Sequence, residues 1–224
     1  MSKSSKQPSA TSIAADKIKH LIFTGELIAD SNHLESELAE RLGMSRTPVR
    51  EATLSLQAQG LLDVQPRKGV KIKSRSTDDI FYLRDVLSEM ECMAAKRAAN
   101  YGYSKVELQT LFDAVEAMHQ SLSNDDRNAW AKADEAFHLE LINLSQNKYL
   151  IAVVKNLNDQ VRRVRAITLN IRPSPTQSTK EHKQLCQAIL KGDAERADKV
   201  HRTHHKKVTK LLIGILDQSG LKRV

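Results

Sequence analysis

The sequence predicts a mainly α chain: a small N-terminal unit of helices closed by a β-hairpin, then an all-α antiparallel helical bundle. Three observations carry this. Apolar residues recur at helical spacing along almost the whole chain, and only two short runs near residues 61–72 break it. Aromatics make up only 4% of the residues, so Leu, Ala, Val and Ile must fill the core, which suits helix-on-helix packing. With 224 residues the chain is longer than one typical domain.

Residues 1–10 are polar, with Lys3 and Lys6 and no apolar stretch behind them. They read as a disordered arm rather than a secretory signal. A first helix fits 12–24, where Ile13, Ile18, Leu21 and Ile22 share a face and Gly25 ends it. A second fits 35–42, closed by Gly43, and a third runs from Ser45 to Gly60. Residues 61–64 and 69–72 read as two strands around a turn at 66–69. A polar stretch at 74–77 then separates a first domain, 11–74, from a second, 77–218. The second reads as six helices, over 77–100, 104–122, 126–145, 147–170, 176–191 and 193–217.

The formal net charge is +8. Residues 1–75 hold twelve Lys and Arg against eight Asp and Glu, and 76–224 hold twenty-three against nineteen. Each part carries +4, so the shorter first part is about twice as densely charged, which favours a polyanionic partner. Cys92 and Cys186 both sit in helical patterns and read as buried thiols of a cytoplasmic protein. No apolar run approaches the ~20 residues that span a bilayer.

The run from Leu34 to Glu51 carries the first chemistry. Leu38, Ala39 and Leu42 form the inner face of a short helix, and Gly43 permits a tight turn. Ser45 suits an N-cap, and Pro48 lies in the next first turn, where its missing N–H costs little. Arg46, Thr47 and Arg50 therefore cluster at the exposed N-terminal end of the second helix, the end that enters a major groove in a helix-turn-helix. Arginine matches the O6 and N7 acceptors of guanine, and threonine reaches phosphate or a thymine methyl. Arg67, Lys68 and Lys71 on the hairpin suit a wing lying along phosphates.

These residues resemble the GntR family of bacterial regulators. The resemblance lies in Glu37–Glu40, in Gly43 through Ala52, in Leu56, Gly60 and Leu61, and in the wing glycine Gly69. It implies a winged helix-turn-helix in which Arg46, Thr47 and Arg50 contact bases and phosphates of double-stranded operator DNA, while the Gly69 region reaches the minor groove. Ser36 stands where many relatives carry a DNA-touching Arg. A homodimer on a pseudo-palindromic operator with GT and AC arms follows from the same resemblance.

The helical remainder resembles the FadR subgroup, whose effector domain is called FCD, in its shorter VanR-like form. Residues 134–138, 147–150, Glu181-His182 and the final helix with His204 carry this resemblance. Asp134 and His138, four apart, share a helix face. His182 leads the stripe His182, Leu185, Ile189, and His204 lies on the stripe Ala197, Val200, Val208, Leu211. Three histidines and a carboxylate on inward lines make an N3O site for a divalent transition metal, with zinc first and nickel or manganese as alternatives. His201 and His205 could replace His204. Their line has less apolar company, so His204 is preferred and they read as solvated or outer residues. Arg84, by resemblance, holds the carboxylate of a small organic-acid effector. Arg162 and Arg165 share a polar helix face and are further candidates.

An enzyme is the competing class. Glu135-Ala136-Phe137-His138 is a Glu-x-x-His sequence of the kind di-iron bundles use, but no second copy follows. No Ser–His–Asp pattern, phosphate loop or nucleophilic Cys context is present. A ligand-independent dimeric DNA-binding protein is the other alternative. The expectation is an effector-controlled regulator, a repressor by resemblance.

Overall fold

The computed structural model describes residues 8–220 and Arg223, and these divide into two compact units, the first running to Arg75 and the second starting at Ser76. Most of the expected arm, residues 1–7, lies outside the described residues. Its last residues are ordered: Ser9 caps α1 (Ala10–Phe23) through its hydroxyl, which accepts from the Ser12 N–H, so the helix starts earlier than its apolar pattern suggests.

The first unit continues with β1 (Asn32–His33), α2 (Glu35–Leu42), α3 (Arg46–Ala58), β2 (Leu62–Gln65) and β3 (Gly69–Ile72). The strands form an antiparallel sheet in the order β1-β3-β2, with Asn32 opposite Lys71 and Val64 opposite Val70. Strand β1 has only two residues, too few for alternation to reveal in the sequence. Ile18, Leu38, Val49, Leu56, Leu62 and Ile72 fill the core. Gly43 ends α2 in the left-handed region, φ 63°, where a glycine costs least. Gly69 has φ 84°, and a Cβ there would stand 2.2 Å from the His33 carbonyl oxygen. That glycine is therefore what lets β1 lie against the hairpin.

The second unit holds α4 (Thr77–Tyr101), α5 (Gln109–Ser123), α6 (Arg127–Leu144), α7 (Lys148–Thr168), α8 (Thr176–Leu190) and α9 (Ala194–Gln218). Ser76 and Asp79 form a reciprocal capping box at the start of α4. Asp126, Asn147 and Asp193 cap α6, α7 and α9 through their side chains. Residues 104–108 make a turn rather than the first turn of α5. One cluster, with Leu111, Met118, Trp130, Phe137, Leu185 and Ile189 among its members, spans α4, α5, α6, α8 and α9. A smaller cluster joins α4, α6 and α7 through Leu87, Ile142, Val154 and Val161. Helix α9 packs on α4, α8 and α7, so it buries more than one face. Cys92 and Cys186 are buried free thiols. Among the described residues no helix is long and apolar enough to cross a membrane.

Candidate functional site

Two helix faces and a hairpin tip gather the polar residues of the first unit. Ser36, Ser45, Arg46, Thr47 and Arg50 are all exposed along α2, the turn and the first turns of α3. Ser45 has N-cap geometry, but its hydroxyl makes no capping bond, so that oxygen is free for another partner. Arg46 and Arg50 have no ion-pair partner among the described residues, whereas Arg41 is bound to Glu26 at 2.6 Å. Arg67 and Lys68 stand exposed at the hairpin turn, with Arg67 in the left-handed region at φ 63°.

The second unit brings Asp134, His138, His182 and His204 together. Asp134 and His138 come from α6, His182 from α8 and His204 from α9. Asp134 Oδ1 lies 3.0 Å from His182 Nε2 and 3.8 Å from His138 Nε2. The His182 ring is 4.6 Å from the His204 ring and 5.1 Å from that of His138, centroid to centroid, and it stacks on Phe137 at 4.2 Å. The three histidines each offer a ring nitrogen within 4.8 Å of the others.

Carboxylates outside this group set two of the tautomers. His138 Nδ1–H donates to Glu91 Oε2 at 2.8 Å, and His204 Nδ1–H donates to Glu181 Oε2 at 2.8 Å. An ionised carboxylate only accepts, so each Nδ1 carries the proton and each Nε2 keeps its lone pair. This is the outer-sphere pattern of a histidine metal site. Glu181 also accepts from Lys207 and Gln177, and although burial opposes its ionisation, these bonds and that of His204 hold its carboxyl down at about 2. Burial lowers the His204 imidazole to about 3 against the pull of Glu181, which keeps it neutral. The Asp134 carboxyl is also held well below the usual range: burial opposes its charge, but the His182 bond and the neighbouring His138 prevail. The residues thus fit a metal: one ionised carboxylate oxygen and three histidine nitrogens converge.

Beside them opens a small cleft, part of it open to solvent, whose lining includes Asp134, His138, His204, Arg84, Arg165 and Arg172. Arg84 is 2% exposed. Its Nε–H donates to Thr209 Oγ1 at 2.8 Å, while its Nη1 is buried without a hydrogen-bond partner. Burial, and then Arg165 nearby, lower its pKa to about 9. Arg162 does not line this cleft: it meets Glu135 at 3.1 Å on an exposed face. Helical geometry separates it from Arg165 by nearly a full turn less about 60°, which suffices to turn one out and the other in. Arg172, whose guanidinium sits 5.0 Å over the Trp130 ring, is a lining cation that the sequence does not single out, because it follows α7 in an aperiodic stretch.

Of the two readings of His201 and His205, solvated or outer, the structure corrects the first. Each is 1% exposed, not solvated. The apolar stripe through His204 marks only the face of α9 toward α8, whereas His201 and His205 face Glu91 on α4. Glu91, fully buried, is a residue that sequence reasoning missed; a charged residue within the stripe of α4 was the available signal.

Comparison with known proteins agrees with this architecture. Residues 11–72 match the family described as bacterial regulatory proteins, gntR family, and residues 82–207 match the FCD domain. A regulator of the HTH type from Agrobacterium vitis is 40% identical over 133 residues, 58% of this chain and 78% of that protein. A probable D-xylose utilization operon transcriptional repressor from Paenarthrobacter nicotinovorans is 29% identical over 92% of this chain and 90% of its own length. The structure of McbR/YncC from E. coli shares the fold, with a TM-score of 0.78 at 22% identity, covering 92% of this chain and 98% of that one. The winged helix-turn-helix with its helical second unit defines a class of DNA-binding transcriptional regulators, not enzymes. This chain belongs to the GntR family and carries an FCD domain.

Proposed function

We propose that this protein is a homodimeric, metal-dependent transcriptional repressor whose affinity for its operator is set by a small organic acid. The observation that carries the reading is the convergence of Asp134, His138, His182 and His204 beside a cleft lined by one buried arginine, Arg84, and two half-buried ones, Arg165 and Arg172. An ionised acid needs a cationic, partly desolvated receptor, and Arg84, Arg165 and Arg172 supply one. The four donors hold a divalent ion, with zinc preferred and nickel or manganese compatible. When bound, the ion supplies a Lewis-acidic anchor for the effector's carboxylate. Arg84 Nη1, buried and unpartnered, is the donor best placed to take its other oxygens.

In the first unit, Arg46, Thr47 and Arg50 read base edges and phosphates, and Ser36 and Ser45 contact phosphate. Arg67, Lys68 and the Gly69 backbone follow the adjacent groove. Two copies reading two half-sites match the symmetry of a palindromic operator. The effector acts only by binding one arrangement of the dimer more tightly than another. Buried thiols and a DNA partner support a cytoplasmic location.

The test pairs two variants in mobility-shift titrations on a promoter fragment that the wild type shifts. Arg46→Ala with Arg50→Ala abolishes the shift while retaining metal. His182→Ala with His204→Ala keeps the shift but loses metal and the response to added carboxylic acids. Retention of metal and response in the second variant overturns the site assignment.

A further inference from the structure

Behind the centre just described lies a second group of donors. Glu91 Oε2 is 2.8 Å from His205 Nε2 and 3.2 Å from His201 Nε2, and those two nitrogens are 3.1 Å apart. All three residues are at most 1% exposed. Protons alone do not explain this triangle. If both histidines carry a proton on Nε2, both donate to the carboxylate and the two N–H groups oppose each other. If only one does, the other nitrogen points a lone pair at the carboxylate oxygen. Every assignment with an ionised Glu91 leaves one short contact repulsive. Two further atoms of the group, Glu91 Oε1 and His205 Nδ1, are buried without a hydrogen-bond partner.

A cation removes the conflict, because all three atoms then present lone pairs to it. Donors about 2.0–2.1 Å from one ion stand roughly 2.9–3.4 Å apart at octahedral to tetrahedral angles, and the three separations here are 2.8, 3.1 and 3.2 Å. We propose that Glu91, His201 and His205 form a second metal site, binding a divalent first-row ion distinct from the one held by Asp134, His138, His182 and His204. The i, i+4 pair His201 and His205 supplies two nitrogens from one turn of α9, and Glu91 supplies the balancing charge from α4. His138 keeps its Nδ1–H on Glu91 Oε2 and so joins the two sites through one carboxylate. Burial lowers the pKa of both His201 and His205, which favours the neutral form that a metal requires.

Zinc is the probe. Chelator-stripped full-length protein is titrated with zinc and read by native mass spectrometry, and zinc-loaded crystals are read by anomalous scattering at the zinc edge. The wild type takes up two ions per chain, and one anomalous peak lies among Glu91, His201 and His205. His201→Gln with His205→Gln takes up one, and so does His182→Gln with His204→Gln, each pair losing a different peak. Circular dichroism of the stripped variants checks that the helices persist. One ion per wild-type chain, with no density among Glu91, His201 and His205, overturns the proposal and leaves the first centre standing. Two ions in the wild type with none lost in the His201/His205 variant overturns it equally. If either double variant loses its helices, the anomalous map of the wild type decides alone.

Discussion

At the scale of single residues, the unit's polar interior is governed by what answers each buried charge. An ionised carboxylate taken out of water costs several kcal/mol unless strong partners compensate. Glu181 has three such partners, and through one of them it fixes which nitrogen of His204 is available. Glu181→Gln removes the charge while keeping an acceptor. Zinc affinity is expected to fall at least tenfold, as removal of an outer carboxylate commonly does, and competition with a chromophoric chelator measures it. The two thiols behave oppositely to the carboxylates. Burial pushes both Cys92 and Cys186 up to about 12, so almost no thiolate forms near neutrality. The folded protein is expected to resist iodoacetamide at pH 8 and to take up two adducts only in denaturant, as counted by intact mass. Gly69 is the backbone counterpart. Gly69→Ala drives a methyl into the His33 carbonyl and sets a positive φ on a residue with a Cβ. A loss of more than about 1–2 kcal/mol in the first unit is expected, seen as a lowered urea midpoint, with operator affinity reduced as the hairpin shifts.

At the scale of elements, caps and packing faces decide the outcome. Ser76 opens α4 with a hydroxyl that takes the Asp79 N–H, and Ser76→Ala is expected to cost about 1 kcal/mol in the second unit's unfolding free energy. The helices of that unit were legible in the sequence because their apolar rows and their Gly, Asn and Asp punctuation agree. The ends were less so: Ser9 starts α1 by a hydrogen bond rather than by hydropathy, and 104–108 turn despite helix-forming residues. The four residues Asp134, His138, His182 and His204 were legible because each lies on its helix's apolar row. Glu91, His201 and His205 were not, since a row of apolar residues marks one buried face and α9 has several neighbours. Arg162 and Arg165 show the reverse limit: a polar face tells that two arginines lie close, but not which of them turns toward the cleft.

At the scale of the whole molecule, the buried imidazoles tie stability to pH. His204 is lowered to about 3, and His201 and His205 are lowered too, in each case by burial against the pull of a glutamate. Their folded pKa values lie below the unfolded value of about 6.5. As pH falls, the unfolded chain therefore takes up protons first. The stability these residues confer is complete above about 6.5 and is lost as pH drops from there toward the folded values. Each contributes up to about 1.4 kcal/mol of loss per pH unit in that range. Chelator-treated protein is expected to melt at the same temperature at pH 8 and 7, then progressively lower from pH 6.5 to 5. A profile flat down to pH 5 contradicts the neutral buried histidines. Added zinc is expected to raise the melting temperature near neutrality and to lose that effect in acid, where protons compete for the same nitrogens.

Helix α9 has a mechanical consequence. His201, His204 and His205 all belong to it, and at about 100° per residue they spread over roughly 100° of its circumference. His204 looks toward the α8 side and the other two toward α4. The helix is therefore keyed like a splined shaft: a turn of a few tens of degrees in either direction withdraws donors from both groups at once. Its angular position becomes a fixed reference along its whole length to Gln218, and one residue inserted within the helix between Ala197 and His201 throws all three teeth out of mesh with the packing before them.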